Sequence, residues 1–119
     1  MVAKVAVIQK PPVLLDRSRT IQVALASIDE AARENASLLV FPEAYIPGYP
    51  TWIWRLRPGG DMNLSGEIHA RLRENAVDLA RNDLQPIQEA AAKHGVTIVL
   101  GINELDSQFS GTRFSIRSL

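Results

Sequence analysis

The sequence contains no cysteine and only two histidines among its 119 residues. Without cysteine, the chain can form no disulfide, no thiolate metal site and no cysteine nucleophile of its own. The histidines, His69 and His94, lack the close spacing of metal-binding motifs, and we interpret them as surface or helix-end residues. The sequence therefore predicts neither a metal nor a cofactor.

The sequence also carries no net charge at pH 7. Thirteen basic and thirteen acidic residues cancel, which removes the overall field that attracts nucleic acids or anionic membranes. No apolar run approaches the roughly 20 residues that span a bilayer, and the apolar stretch at the N-terminus is too short for a secretory signal. We therefore predict a cytoplasmic protein that has neither a nucleic acid nor a membrane as partner.

The residues that build a core are present in ordinary proportion. Hydrophobic residues make up 46% of the sequence and charged residues 22%, which is typical of globular proteins and unlike disordered ones. A length of 119 residues gives room for one ordinary domain. No repeat or linker divides the chain, so we treat residues 1–119 as a single unit.

An apolar run over residues 38–41 ends on Pro42 and Glu43. Four apolar residues without alternation are typical of a strand covered on both faces, as in a parallel sheet flanked by helices. Because Pro42 cannot donate to a ladder, the strand should stop there and present Glu43 at its carboxyl end. Ligand crevices of open α/β sheets lie at such ends, so Glu43 is either a functional carboxylate or a solvated loop residue.

Hydrophobic periodicity predicts the other elements. Asp16 is the expected N-cap of a first helix, and Gly95 the expected stop of the last one. Apolar runs alternating with helical patterns predict an α/β fold built mostly from β-α-β units. The predicted elements are buried strands near 2–9, 38–42 and 96–102 and helices near 16–34, 65–81 and 83–94.

Residues 44–63 are rich in proline and glycine and are predicted to form a long irregular loop. Its aromatic residues Tyr49, Trp52 and Trp54 are candidates for lining a substrate pocket; a small hydrophobic cluster or a subunit contact is the alternative. Glu104 follows the third strand and could lie near Glu43 as a second carboxylate, or be an ordinary loop residue.

Three motifs stand in the order and spacing typical of one family of enzymes. They are Phe41-Pro42-Glu43-Ala44, Pro47-Gly48-Tyr49-Pro50 and Trp52-Ile53-Trp54. Together with the opening strand and the later Gly101-Ile102-Asn103-Glu104 segment, they resemble the N-terminal portion of the nitrilase branch of the carbon-nitrogen hydrolase (nitrilase/cyanide hydratase) family. The resemblance covers residues 2–112, and the tail over 107–119 diverges from the family pattern, which suggests a truncated or frame-shifted product.

The resemblance implies a partial αββα sandwich and a hydrolase that converts a nitrile to a carboxylic acid and ammonia. Such enzymes use a Glu, a Lys and a Cys, and only the Glu has a counterpart here, with Glu43 as general base. The Lys and Cys would lie beyond Leu119. The lysines of this chain, Lys4, Lys10 and Lys93, do not occupy a matching position, so we expect the chain alone to be inactive.

The same resemblance implies a small-molecule nitrile or amide as substrate. It also suggests a homo-oligomer, or a complementing downstream polypeptide that supplies the missing residues. The alternative is a non-catalytic α/β module that binds a small molecule or a subunit through its aromatic loop.

Overall fold

The structure is a computed structural model that describes residues 2–105 in full and the backbone of 106 and 111–118. The predicted divergence over 107–119 lies outside the fully described residues and stays a prediction. In chain order the elements are β1 (Val5–Val7), α1 (Arg17–Arg33), β2 (Leu38–Val40), a 3-10 helix (Thr51–Trp54), α2 (Met62–Glu74), α3 (Gln85–His94), β3 (Thr97–Asp106) and β4 (Gly111–Ser118).

The four strands form one sheet in the order β1-β2-β3-β4. β1 pairs in parallel with β2, and β2 in parallel with β3, so that Ala6, Leu39 and Ile98 lie side by side. β4 pairs with β3 in antiparallel register. Parallel strands joined by helices confirm the predicted α/β class with β-α-β units.

Helix α1 begins and ends where the sequence predicts. The Asp16 carboxylate accepts a hydrogen bond from the Arg19 backbone N–H at 2.9 Å, which satisfies one of the unpaired donors of the first turn. After the helix, Asn35 has a φ of 65°, a left-handed conformation that asparagine tolerates. Gly95 ends α3 in the same way with a φ of 63°. Local capping chemistry therefore sets both ends of α1 and the C-terminal end of α3.

Helices α1 and α3 pack together on one face of the sheet. Ile28 of α1 and Ile87 of α3 are fully buried in one cluster with Leu39, Ile98 and Leu100 of the strands. On β3 the buried apolar side chains are the alternate residues 98, 100 and 102, as the two-residue period of a strand requires. The core therefore lies between this face and the two helices.

The opposite face of the sheet, which we call the bare face, is not covered by a helix over β1 and β2 in the described part of the chain. Val5 and Val7 are 51% and 68% exposed, and Leu38 and Val40 are half-buried. The strand near 2–9 is therefore not buried as predicted, and the expectation that the strand near 38–42 is covered on both faces is not met within the described residues. An apolar run indicates that a strand suits a covered environment. It does not indicate whether the residues that cover the strand lie in the same part of the chain.

The second predicted helix is displaced, and the third begins later than predicted. α2 begins at Met62, within the predicted irregular loop, and ends at Glu74 rather than near residue 81. It ends early because Val77 bonds to β3: its N–H donates to the Asn103 carbonyl and its carbonyl accepts from the Leu105 N–H, both at 2.7 Å. Backbone groups used in a sheet contact cannot also continue a helix.

Asp83 lies before α3 instead of within it, and it joins an ion-pair cluster. Arg81 donates to both carboxylate oxygens of Asp83, at 2.9 and 2.6 Å, and the Arg17 Nε lies 3.6 Å away. Arg17 also donates through Nη1 to the carbonyls of Glu74 and Ala76, just at the end of α2. The cluster thus ties the start of α1, the end of α2 and the approach to α3 together.

The pKa of Asp83 is lowered. Burial acts to raise it, but hydrogen bonds from Arg81 and from the Asp78 N–H, with the charges of Arg17 and Arg81, outweigh the burial. The carboxylate is therefore favoured in the folded state, and its stabilisation is present above the unfolded pKa of about 3.9 and is lost as pH falls through the lower folded value.

We expect Asp83→Asn to lower the free energy of unfolding by about 1–3 kcal/mol at pH 7, because hydrogen bonds to a charged acceptor are lost. The difference from the wild type should shrink as the pH falls below the unfolded pKa of about 4 and through the lower folded value, where the carboxylate of the folded wild type protonates. Urea denaturation at pH 7 and pH 3 measures this, with the exposed Glu67→Gln as a control expected to change little. A difference that is equal at both pH values would contradict the account.

Candidate active site

Glu43 lies on a bulge between β2 and β3. The Phe41 N–H donates to the Val99 carbonyl and the Tyr45 N–H to the Gly101 carbonyl, both at 2.9 Å. The two donors are four residues apart, whereas the two acceptors are only two apart, so two additional residues leave the ladder on the β2 side. We call the segment that leaves it, Pro42–Ala44, the Glu43 bulge.

The Glu43 bulge lies directly on Gly101 of β3. A Cβ added to Gly101 would stand 2.5 Å from the Pro42 carbonyl oxygen, 2.7 Å from the Ala44 nitrogen and 2.9 Å from the Glu43 Cα. All three contacts are with backbone, which cannot turn aside as a flexible side chain can. Gly101 is therefore required for the bulge to approach the strand this closely.

Side-chain alternation places the bulge on the bare face. Leu100 and Ile102 point into the core, so the side of β3 at Gly101 faces the other way. Ala44 holds a φ of 49°, which directs the chain back to the ladder at Tyr45. The Glu43 side chain is exposed. The bulge explains this, since it lifts Glu43 out of the sheet onto a face that lacks cover.

A turn after the bulge is also fixed to β3. The Gly48 N–H donates to the Ala44 carbonyl at 3.0 Å, and the Asn103 N–H donates to the Ile46 carbonyl at 2.9 Å. The Asn103 side chain donates through Nδ2 to the Gly48 carbonyl at 3.2 Å. The Ile46–Pro47 peptide bond is cis. Glu43 is thus followed by a tight, hydrogen-bonded turn instead of a free loop.

The predicted aromatic residues are spread over the surface beyond this turn. Tyr49 is 38% and Trp54 77% exposed, while Trp52 is half-buried. Trp52 lines an open groove of about 530 Å³ together with Met62 and His69, and Glu43 is not among the residues of that groove. Of the three aromatic side chains only Trp52 lines this groove, and the role of all three in substrate binding stays a prediction.

Glu104 is buried, with 7% of its surface exposed, and it follows Ile102 on the core side of β3. The Glu43 bulge lies on the other side of the strand, so the two carboxylates occupy opposite faces near the same end. The structure does not place Glu104 beside Glu43 on one face. A role for Glu104 as a second carboxylate of the site stays a prediction.

No group of three His, Cys, Asp or Glu side chains in the described residues is arranged to hold a metal ion. His94 lies 3.7 Å from the Asp29 carboxylate at the end of α3, and His69 borders the open groove. None of the helices in the same part of the chain is both long and apolar enough to cross a membrane.

Sequence reasoning missed two residues that shape this site, Gly101 and Asn103. A signal for the first was available, because a glycine inside a run of β-branched and aliphatic residues often marks a close backbone approach. Asn103 gave no such signal, since its partner Gly48 lies 55 positions away in the sequence. Tyr45 lies within the predicted irregular loop, yet it is buried, and its ring packs against Phe41 with 5.2 Å between centroids.

We expect Gly101→Ala to displace the Glu43 bulge and to lower the free energy of unfolding by about 1–3 kcal/mol, the usual cost of overpacking. Gly66→Ala is the matched control, since a Cβ there meets nothing within 4 Å and alanine favours the interior of α2. Urea denaturation of both variants measures the difference. Equal stability of the two variants would show that the bulge does not rest on Gly101.

Tyr45 gives a second test of the packing under the bulge. Its ring is buried, its hydroxyl finds no hydrogen-bond partner among the described residues, and burial raises its pKa. We expect Tyr45→Phe to stabilise the fold by about 1 kcal/mol by removing an unpaired buried hydroxyl, whereas Tyr45→Ala should cost about 3–5 kcal/mol through the lost ring. Thermal denaturation separates them, and a destabilised Tyr45→Phe variant would reveal a partner for the hydroxyl.

Comparison with solved structures shows the same fold in larger proteins. The chain superposes on an amidase from Nesterenkonia sp. with a TM-score of 0.57 at 18% identity, covering 98% of this chain and 37% of the amidase. It superposes on a glutamine-dependent NAD(+) synthetase from Cytophaga hutchinsonii with a TM-score of 0.59 at 18% identity, covering 98% of this chain and 17% of the synthetase. The predicted nitrilase-like fold, present in part, is confirmed.

Sequence comparison is more specific. The chain is 38% identical over 104 residues to an aliphatic nitrilase of Rhodococcus rhodochrous and 39% identical over 101 residues to an arylacetonitrilase of Aspergillus oryzae. These alignments cover 87% and 85% of this chain but 26% and 28% of the relatives, so the chain spans about a quarter of their length. The carbon-nitrogen hydrolase family model matches residues 4–116. The chain therefore belongs to the carbon-nitrogen hydrolase family.

Proposed function

We propose that this chain supplies the general base, Glu43, for a nitrilase-type hydrolysis of a nitrile to a carboxylic acid and ammonia. The observation that carries the proposal is the Glu43 bulge: a carboxylate is lifted out of a parallel sheet and held on Gly101 by close backbone contact. The curated relatives at 38% and 39% identity carry the names aliphatic nitrilase and arylacetonitrilase, which supports a nitrile as the substrate. An amide is the other substrate class we consider, since a structural neighbour is an amidase.

The resemblance to nitrilases gives each group of the reaction a role. A cysteine thiol attacks the nitrile or amide carbon, and the glutamate accepts the thiol proton. A lysine stabilises the charge that develops, and water then releases the acid while the nitrogen leaves as ammonia. A free thiol has a pKa of about 8.5 and is mostly protonated at neutral pH, so the reaction needs such a base.

The cysteine and the lysine of this scheme must come from elsewhere. The 119-residue sequence has no cysteine. Lys4 pairs at 3.9 Å with Glu34, which directly follows α1, and Lys10 pairs at 2.6 Å with Glu30 of α1. Lys93 lies in the last turn of α3. We therefore propose that further polypeptide, in a longer chain or in a second one, carries both groups, and that these 119 residues have no turnover alone.

The bare face suggests where that polypeptide would add. Val5 and Val7 are exposed there, and the Glu43 bulge lies on the same side of the sheet. Covering the face would remove apolar surface from water. Because burial makes a glutamate a stronger base in general, the same covering layer would complete the chemistry as well as the fold.

A second candidate function is a non-catalytic module that binds a small molecule or a subunit through the aromatic loop over residues 44–63, which we call the aromatic segment. The observation in its favour is the cluster of large exposed apolar residues there, with Trp54 77%, Met62 71% and Ile53 52% exposed. Contiguous exposed apolar residues often mark interaction sites.

We also propose that a longer version of the protein self-associates and that the protein is cytoplasmic.

Ammonia release from a panel of aliphatic and arylaceto nitriles tests the proposed function. We expect no release by the purified chain alone, and release when it is mixed with the polypeptide encoded directly downstream at its locus. In the mixture, Glu43→Gln should abolish release, whereas the exposed control Glu67→Gln should leave it unchanged.

Turnover by the chain alone would show that no external cysteine is needed and would contradict the scheme. Turnover in the mixture that survives Glu43→Gln would remove Glu43 from the reaction. Absence of turnover in both, together with stable folding and binding through the aromatic segment, would favour the non-catalytic module.

A further inference from the structure

Asn103 is a buried polar residue on the same side of β3 as the Glu43 bulge. Only 2% of its surface is exposed. Both of its backbone groups are used: the N–H donates to the Ile46 carbonyl at 2.9 Å, and the carbonyl accepts from the Val77 N–H at 2.7 Å. The backbone of Asn103 is therefore held by two neighbouring segments as well as by the strand.

The Asn103 side chain connects the strand to the end of the turn that follows Glu43. Its Nδ2 donates to the Gly48 carbonyl at 3.2 Å, and the Gly48 N–H in turn donates to the Ala44 carbonyl at 3.0 Å. Ala44 is the residue directly after Glu43. A short chain of hydrogen bonds thus runs from Asn103 through Gly48 to the bulge.

Stability of the described residues does not by itself explain an asparagine at this position. Its Oδ1 finds no donor among them, and an unpaired buried acceptor costs about 1–3 kcal/mol. An apolar residue of similar size would avoid that cost. Such an apolar residue could not donate to the Gly48 carbonyl. The amide of Asn103 is therefore what allows this side chain to hold the turn.

We infer that Asn103 is a positioning residue, which fixes the Ala44–Gly48 turn and thereby holds Glu43 at the place where the reaction needs a base. The inference rests on the proposed role of Glu43. Gly101 provides the space in which the bulge lies, and Asn103 provides the hydrogen bond that keeps the following turn against the strand. A base that is held in place loses little conformational freedom when it acts.

Two substitutions remove the hydrogen bond that the Asn103 side chain donates, one without and one with a loss of side-chain volume. Asn103→Asp keeps the size and replaces the amide donor by an acceptor, and Asn103→Ala removes both without introducing a buried charge. Thr97→Ala is the control, because Thr97 is an exposed residue on the same side of the same strand. The alanine variant keeps the test valid if the aspartate variant does not fold.

Amide hydrogen exchange of the purified chain is the first measurement. We expect exchange at Tyr45 and Gly48 to accelerate roughly five- to tenfold in the Asn103 variants, the factor given by the loss of one hydrogen bond of ordinary strength. The core amides of Ile98 and Leu100 should keep their wild-type rates. Unchanged exchange at Tyr45 and Gly48, or an equal acceleration throughout the sheet, would overturn the inference.

Turnover in the mixture with the downstream polypeptide is the second measurement. We expect the Asn103 variants to lower kcat about tenfold or more while leaving KM unchanged, since they displace a base without removing a substrate contact. An unchanged kcat would overturn the inference even if the loop loosens. If the wild-type mixture shows no turnover, the proposed function fails, and hydrogen exchange alone still decides whether Asn103 holds the turn.

Discussion

The close contact between the backbone of the Glu43 bulge and Gly101 is the constraint on which the candidate site depends. With any side chain at position 101, the bulge would have to move outward, because the nearest atoms are backbone atoms less than 3 Å from where a Cβ would stand. The ladder then resumes at Tyr45, and the turn that follows is bonded to Asn103. One missing methyl group thus allows an acidic residue to sit directly against a central strand.

The sheet has two unlike faces, and this difference links the fold to the chemistry. One face packs against α1 and α3 and contains the core. The other carries exposed Val5 and Val7 beside the Glu43 bulge. The chain spans about a quarter of the length of its curated relatives. Cover of the bare face by further polypeptide, as proposed above, would remove this exposed apolar surface from water.

Much of the fold follows from local sequence signals, whereas the site does not. Asp16 and Gly95 mark helix ends because capping depends on residues within one turn, and these predictions are confirmed. The early end of α2 was not predictable in the same way, because Val77 leaves the helical pattern to bond with β3 more than twenty residues later. The exposure of the bare face was not predictable either. It depends on which other residues pack against the strands, and the sequence of the strands does not contain that information.

The position of Glu43 depends partly on local sequence and partly on contacts between distant segments. The apolar run and Pro42 predict correctly that a strand stops just before it. The bulge itself arises from the pairing of Tyr45 with Gly101, and a pairing between distant segments is visible only in the folded chain. The glycine at position 101 was the one sequence feature that could have indicated the close approach.

A nuclear Overhauser measurement on the isotopically labelled chain tests the central claim most directly. If the bulge rests on Gly101, the α protons of Gly101 should give strong cross-peaks to the Glu43 α proton and the Ala44 amide proton, alongside the cross-peaks of the β2–β3 ladder. A ladder with its cross-peaks intact but none between Gly101 and the Glu43 bulge would contradict the account, because Glu43 would then lie on a free loop with no defined place on the sheet.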